Sequence, residues 1–356
     1  MKPLLVFGTR PEAIKLAPVF FTFQKKGIQP LVCVTSQHQE LLRQMLDLFA
    51  IRPDYDFELM EENQDLLGLA SRALSRFQSL FDDVRPDCVV VQGDTTTAFI
   101  ASLAAAYRKI PVAHVEAGLR SFNHHNPFPE EINRTLVDQV ARWCFAPTER
   151  SKENLLREGI APEKIHVTGN TVVDALEMIR GKIGPAPGRG KSLILVTTHR
   201  RESFGKDLQS ICRALLVLAE RLPETRFVLP VHPNPNVREP VYRLLSSCEQ
   251  IDLTAPMDYE SFLRLLMRAD LVLTDSGGVQ EEAPSFGVPV VVMRKTTERP
   301  ELVESGFGEL VGTETDAIVA AAHRLLKNRP RLAGLPNPFG DGQAAPRIVE
   351  ILLANR

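Results

Sequence analysis

The chain is 356 residues long, and 42 Lys plus Arg against 44 Asp plus Glu leave a formal charge of −2, which excludes a nucleic-acid binder relying on bulk basic charge. Hydrophobic residues at 44% support packed cores rather than disorder, and the length suits two domains. The opening MKPLLVFGTRPE is far short of a signal peptide and no stretch approaches ~18 apolar residues, so a cytoplasmic protein without a membrane partner is expected.

Short β-rich runs alternate with longer amphipathic ones from the start: PLLVFG (3–8), PLVCVTS (30–36), DCVVVQGD (87–94), PVAHVEAG (111–118), CFAPTE (144–149) and IHVTGN (165–170). That alternation is the pattern of βαβ units around a parallel sheet covered on both faces. GKIGPAPGRGK (181–191) is rich in Gly and Pro and reads as a linker. A second series follows in SLILVTTH (192–199), RFVLPVH (226–232), QIDL (250–253), DLVLTDSGG (270–278) and VPVVVM (288–293), with helices expected near 315–327 and 344–354. The expected fold is α/β, with two doubly wound, Rossmann-like parallel-sheet domains and an interdomain cleft at their carboxyl strand edges. The boundaries are 1–180 for the first domain, 181–191 for the linker and 192–356 for the second, with the last helix packing back on the first domain.

Several familiar motifs are missing or broken. The five cysteines, Cys33, Cys88, Cys144, Cys212 and Cys248, never form CxxC and read as reduced core residues. The histidines show no HExxH spacing, so no metal is expected. Gly190-Lys191-Ser192 lacks the first P-loop glycine, because position 185 is Pro185, and a β-rich run follows it instead of a helix. The first turn, Gly8-Thr9-Arg10-Pro11-Glu12, is not GxGxxG, which disfavours a dinucleotide site. Thr274 stands where GxSxG needs glycine, which disfavours a serine hydrolase.

The strand ends are richer. Pro11 suits a helix start, placing Arg10 and, one turn on, Lys15 where an anion would bind or where two solvated cations would simply sit. Asp94, Glu116 and Glu130 follow strand ends or lie in the loops beyond them. The bland account makes Asp94 an N-cap and Glu130 a surface ion pair with Arg134 at i+4. Glu116 resists that account, since it ends an apolar strand. His199, with Arg200 and Arg201, and His232 close two strands of the second half, as anion readers or as polar turns. In Asp275-Ser276-Gly277-Gly278, Ser276 is a natural N-cap, Gly277 and Gly278 permit close approach of a phosphate, and Glu282 one turn on suits ribose hydroxyls. His124 and His125 read as solvated or lid residues in RSFNHHNPFPEE, and His323 as a surface residue.

GTRPEAIKLAP (8–18), GDTTTA (93–98), HVEAGLRS (114–121), PFPEEINR (127–134), GNTVVDAL (169–176), HRRESFG (199–205), HPNPNVRE (232–239), DSGGVQEEAPSFGVPV (275–290) and MRKTTERPE (293–301) together closely resemble the non-hydrolysing UDP-N-acetylglucosamine 2-epimerases, in unbroken order along nearly the whole chain. The resemblance implies a glycosyltransferase-B-like fold, a cytoplasmic homodimer and interconversion of UDP-GlcNAc with UDP-ManNAc through 2-acetamidoglucal, without cofactor or metal. It makes Asp94, Glu116 and Glu130 the acid/base set and gives His199 a part in UDP departure. Arg10, Lys15, Arg134 and Arg299 would hold diphosphate and sugar, with His232 beside them. Ser276, Gly277 and Gly278 would bind phosphate, Glu282 the ribose, and Phe262 with the Met257 backbone the uracil. The family's second, activating site is matched at Gln37 and His38 but not at Glu40, where Gln is frequent, or at Asn63, where some members carry Arg. A carboxylate there opposes a second diphosphate. A hydrolysing epimerase, a UDP-sugar glycosyltransferase and a UDP-sugar sensor are the alternatives, and the full carboxylate set counts against the sensor.

Overall fold

The structure, a computed structural model, describes residues 1–355 apart from 37–38, 61–64, 185–190, 201–202, 329–331 and 333. Gln37, His38, Asn63, Arg201 and most of the segment read as a linker therefore lie outside the described residues. The chain divides into two compact units, Met1–Met178 with Phe339–Arg356, and Ile179–Pro338.

The first unit holds a parallel sheet of β1 (Pro3–Phe7), β2 (Leu31–Val34), β3 (Tyr55–Asp56), β4 (Cys88–Gln92), β5 (Val112–Val115), β6 (Trp143–Ala146) and β7 (Ile165–Val167), in the order β3-β2-β1-β4-β5-β6-β7. Its helices are α1 (Arg10–Lys25), α2 (Gln39–Phe49), α3 (Leu66–Val84), α4 (Thr96–Tyr107), α5 (Glu130–Val140), α6 (Glu149–Arg157) and the start of α7 (Thr171–Ile183). β1, β4, β5 and β6 are buried along their whole length, which is why they read as unbroken apolar runs rather than alternating ones. The boundary between the units falls inside α7, so the first residues of 181–191 are helical rather than linker.

The second unit repeats the plan with β8 (Ser192–Thr197), β9 (Thr225–Pro230), β10 (Ile251–Thr254), β11 (Leu271–Thr274), β12 (Val290–Val292) and β13 (Gly308–Leu310), in the order β10-β9-β8-β11-β12-β13. α8 (Lys206–Arg221), α9 (Pro235–Leu245), α10 (Tyr259–Arg268), α11 (Gly277–Glu282), α12 (Pro300–Glu304) and α13 (Thr315–Asn328) complete it, and α14 (Ala344–Ala354) returns to the first unit against α1. The Asp174 carboxylate of α7 accepts the Ala344 and Ala345 amides at 3.2 and 2.9 Å, capping α14 at its N-terminus. β3 and β13 were not anticipated from sequence. β3 has only two residues at a sheet edge, and β13 carries a glycine, so neither produces an apolar run.

Each sheet reverses its order once, between β1 and β4 and between β8 and β11. Ligands of open α/β sheets bind beyond the carboxyl ends of the strands at such switch points. Four of the cysteines are buried and all five are unpaired. Among the described residues no helix is long and apolar enough to cross a membrane, and no group of His, Cys, Asp and Glu is arranged to hold a metal ion.

Candidate active site

At the first switch point Glu12 ties β1's turn to β4's. Its carboxylate accepts Gly8 N–H at 3.0 Å, Thr9 N–H at 2.8 Å and the Thr9 and Thr95 hydroxyls, each at 2.7 Å. Burial nonetheless dominates and pushes the Glu12 carboxyl up to about 7 from 4.5. A raised folded-state value means the native protein holds a proton that the unfolded chain has lost, so stability falls as pH rises from about 4.5 to 7. Glu12→Gln keeps an acceptor for the amides and is expected to remove about 3 kcal/mol of that pH dependence. Urea midpoints of both proteins across this range check it, and parallel curves would contradict it.

Asp94 follows β4, and its carboxylate pairs with Arg134 of α5 while Asn133 donates to its backbone carbonyl at 2.9 Å. Asp94 is not the helix cap of the bland account, because Thr95 takes that role by accepting Ala98 N–H at 3.0 Å. Nor is Arg134 part of a surface pair. It is buried, and it also pairs with Glu131 at 3.4 Å. Glu131 also accepts the Ser121 and Phe122 amides at 2.8–3.0 Å, so the segment read as lid-like is pinned at its base. Glu130, half-buried, opens α5.

Glu116 follows β5 and is buried with φ +69°. Left-handed backbone at a side-chain-bearing residue costs energy and concentrates at functional sites. Of the other such residues among those described, Ala50, Arg85 and Lys109 sit just past helix ends, where that conformation ordinarily stops a helix, while Ser36, Glu58 and Phe122 lie in loops. Glu116 has no helix to end. Its carboxylate is paired with the buried Lys15 ammonium and accepts Asn170 Nδ2–H at 3.0 Å. Asn170 carried no signal of this role in the sequence, since only the fold brings residue 170 to residue 116. Arg10 lies half-buried at the start of α1.

In the second unit Asp275, fully buried after β11, binds the turn after β8. It accepts Thr198 Oγ–H at 3.1 Å, His199 N–H at 2.9 Å and Arg200 N–H at 3.0 Å, and His199 Nδ1 lies 3.2 Å from its other oxygen. The exposed His199 ring stacks on that of His232 with centroids 6.2 Å apart. Ser276 begins α11, but its side chain makes no capping hydrogen bond. Arg299, held by Glu281 at 2.6 Å and Glu298 at 3.3 Å, lies so close to Gly277 that an added Cβ would sit 2.7 Å from the guanidinium, while Gly278 faces open space. Glu282 is buried and accepts the Tyr259 hydroxyl at 2.8 Å. Phe262 is half-buried on α10, and Met257 lines an open cavity of about 610 Å³ beside β10. Glu40 is exposed on α2, and His124, His125 and His323 are exposed as expected.

A family model described as UDP-N-acetylglucosamine 2-epimerase matches residues 22–353. The curated UDP-N-acetylglucosamine 2-epimerase of Neisseria meningitidis serogroup A is 47% identical, with all of both chains covered. That of Escherichia coli K12 is 48% identical over all of this chain and 99% of its own. Among solved structures, the Neisseria meningitidis UDP-GlcNAc 2-epimerase bound to UDP-GlcNAc superposes with a TM-score of 0.95 at 47% identity, each chain covered in full. The Methanocaldococcus jannaschii enzyme in complex with UDP-GlcNAc and UDP does so at 0.87 and 36% identity, again with full coverage of both. With the family model spanning nearly the whole sequence and full-length relatives near half identical, the chain belongs to the UDP-N-acetylglucosamine 2-epimerase family.

Proposed function

We propose that the protein interconverts UDP-GlcNAc and UDP-ManNAc without hydrolysis, by elimination and re-addition of UDP. A base removes the C2 proton, and the C2–H electron pair becomes the C1=C2 bond of 2-acetamidoglucal. The bond from C1 to the β-phosphate oxygen breaks with its electrons on UDP. Return of a proton to the opposite face of C2 and of the phosphate oxygen to C1 gives the epimer. Proton removal and delivery on opposite faces need two acid/base groups, drawn from Asp94, Glu116 and Glu130, with His199 assisting UDP departure.

The observation that carries this reading is Glu116: a buried carboxylate in strained backbone, oriented by Lys15 and Asn170. Fixing a base by its neighbours is how enzymes pre-organise proton transfer. Asp94 with Arg134 supplies a second oriented carboxylate in the same unit. In this reading Arg10, Lys15, Arg134 and Arg299 bind diphosphate and sugar, and His232 lies beside the leaving group. Ser276, Gly277 and Gly278 take phosphate, Glu282 the ribose, Phe262 and Met257 the uracil. The active species is a cytoplasmic homodimer. Incubation with UDP-GlcNAc alone, followed by chromatography, is expected to give UDP-ManNAc at equilibrium with substrate. Steady accumulation of UDP and free ManNAc would instead mean hydrolysis.

A further inference from the structure

His114 lies two residues before Glu116 on β5, paired in register with Val91 of β4, and is completely buried. Its Nε2 is 2.8 Å from the Gly93 carbonyl and its Nδ1 is 2.6 Å from Asp138 Oδ1. A backbone carbonyl only accepts, so Nε2 is the donor. Asp138, on α5, is itself anchored: its other oxygen accepts Arg120 Nη2–H at 2.7 Å and Gly118 N–H at 3.3 Å. Arg120 in turn is locked to Glu158 through Nε at 2.7 Å and Nη2 at 2.5 Å. Burial opposes ionisation of Asp138, yet His114 and Arg120 together hold its carboxyl below the ordinary value.

The network ends on the turns that carry the acid/base groups. Gly93 immediately precedes Asp94, its amide donates to Val115 O at 3.0 Å, and a Cβ built on it would lie 4.0 Å from Glu116 Oε1. Gly118 and Arg120 follow Glu116 on the neighbouring turn. Rooted on β5 two residues before Glu116, the imidazole ties that strand end directly to the Gly93 carbonyl and, through Asp138, to the Gly118 amide.

We infer that His114 is a positioning residue: by holding the Gly93 carbonyl with Nε2, on a ring that Asp138 orients, it fixes Asp94 relative to Glu116. The consequence for turnover rests on the epimerase reading, whereas the consequence for the turn's rigidity does not. The side-chain amide of Gln can place a donor where Nε2 lies, and that of Asn only where Nδ1 lies, so the two substitutions separate the bonds. In His114→Asn, amide hydrogen exchange over 92–98 is expected to quicken about tenfold, with kcat down about 10²-fold and KM for UDP-GlcNAc within about twofold, as for a misplaced catalytic group. His114→Gln should stay within about threefold of wild type in all three. Asn and Gln variants that behave alike would overturn the proposal. A measurement on the wild type needs no variant to fold: ¹⁵N NMR of labelled histidine should show His114 Nε2 protonated, and an unprotonated Nε2 would overturn the proposal as well. Exchange and NMR require no turnover, so a wild type that fails to epimerise would remove the epimerase reading and leave these two tests in force.

Discussion

Glu116→Gln is expected to slow exchange of the C2 hydrogen of UDP-GlcNAc by at least about 10²-fold, the usual worth of a general acid or base, while UDP still binds. The reasoning starts with shape. Gln is isosteric, so the left-handed backbone at Glu116 and the contact with Asn170 survive with an amide oxygen as acceptor. What disappears is the negative charge facing Lys15 and the capacity to take a proton. If Glu116 only neutralised Lys15, the variant would lose stability and bind substrate differently, with exchange per bound substrate unchanged. Exchange in D2O and UDP titration, measured together, separate the two outcomes.

Gly118→Ala is expected to cost about 2 to 5 kcal/mol, the sum of a left-handed alanine and an overpacked contact, lowering Tm by roughly 5 °C. Gly118 has φ +84°, and a Cβ there would lie 2.2 Å from the Ser151 carbonyl oxygen of α6 and 2.9 Å from Leu155 Cγ. A backbone oxygen in a helix's first turn cannot step aside as a side chain can. Gly159 is the control: its φ is +80°, with nothing within 4 Å of a Cβ, so Gly159→Ala should cost only the backbone strain, about 1–2 kcal/mol. Equal losses for the two variants would mean the Ser151 contact is relieved by a small shift. Because Gly118 also donates to Asp138, Gly118→Ala should lose activity at temperatures where it is still folded.

How much of this could be read in advance divides by the range of the interaction. Fully buried strands such as β4 and β11 announce themselves as runs of Val and Leu, because a parallel sheet covered on both faces has no polar side to alternate with. β3 and β13 are two and three residues long and lack such a run. Glu116 was legible as a carboxyl ending an apolar strand. Its partners were not: Lys15 is 101 residues away and Asn170 is 54, and no spacing rule links them. The i+4 rule proposed Glu130 for Arg134, while the tertiary fold supplies Asp94 from 40 residues away. Asp275, Tyr259 and His114 were passed over for a similar reason, since each works through a partner on another element.

The most direct test of the central claim is to incubate the protein with UDP-GlcNAc in D2O, without metal or nicotinamide, and follow the sugar by NMR. Removal of the C2 proton predicts that UDP-ManNAc forms with deuterium at C2 and that recovered UDP-GlcNAc gains deuterium there too. Epimerisation with C2 protium retained in the product would contradict the account.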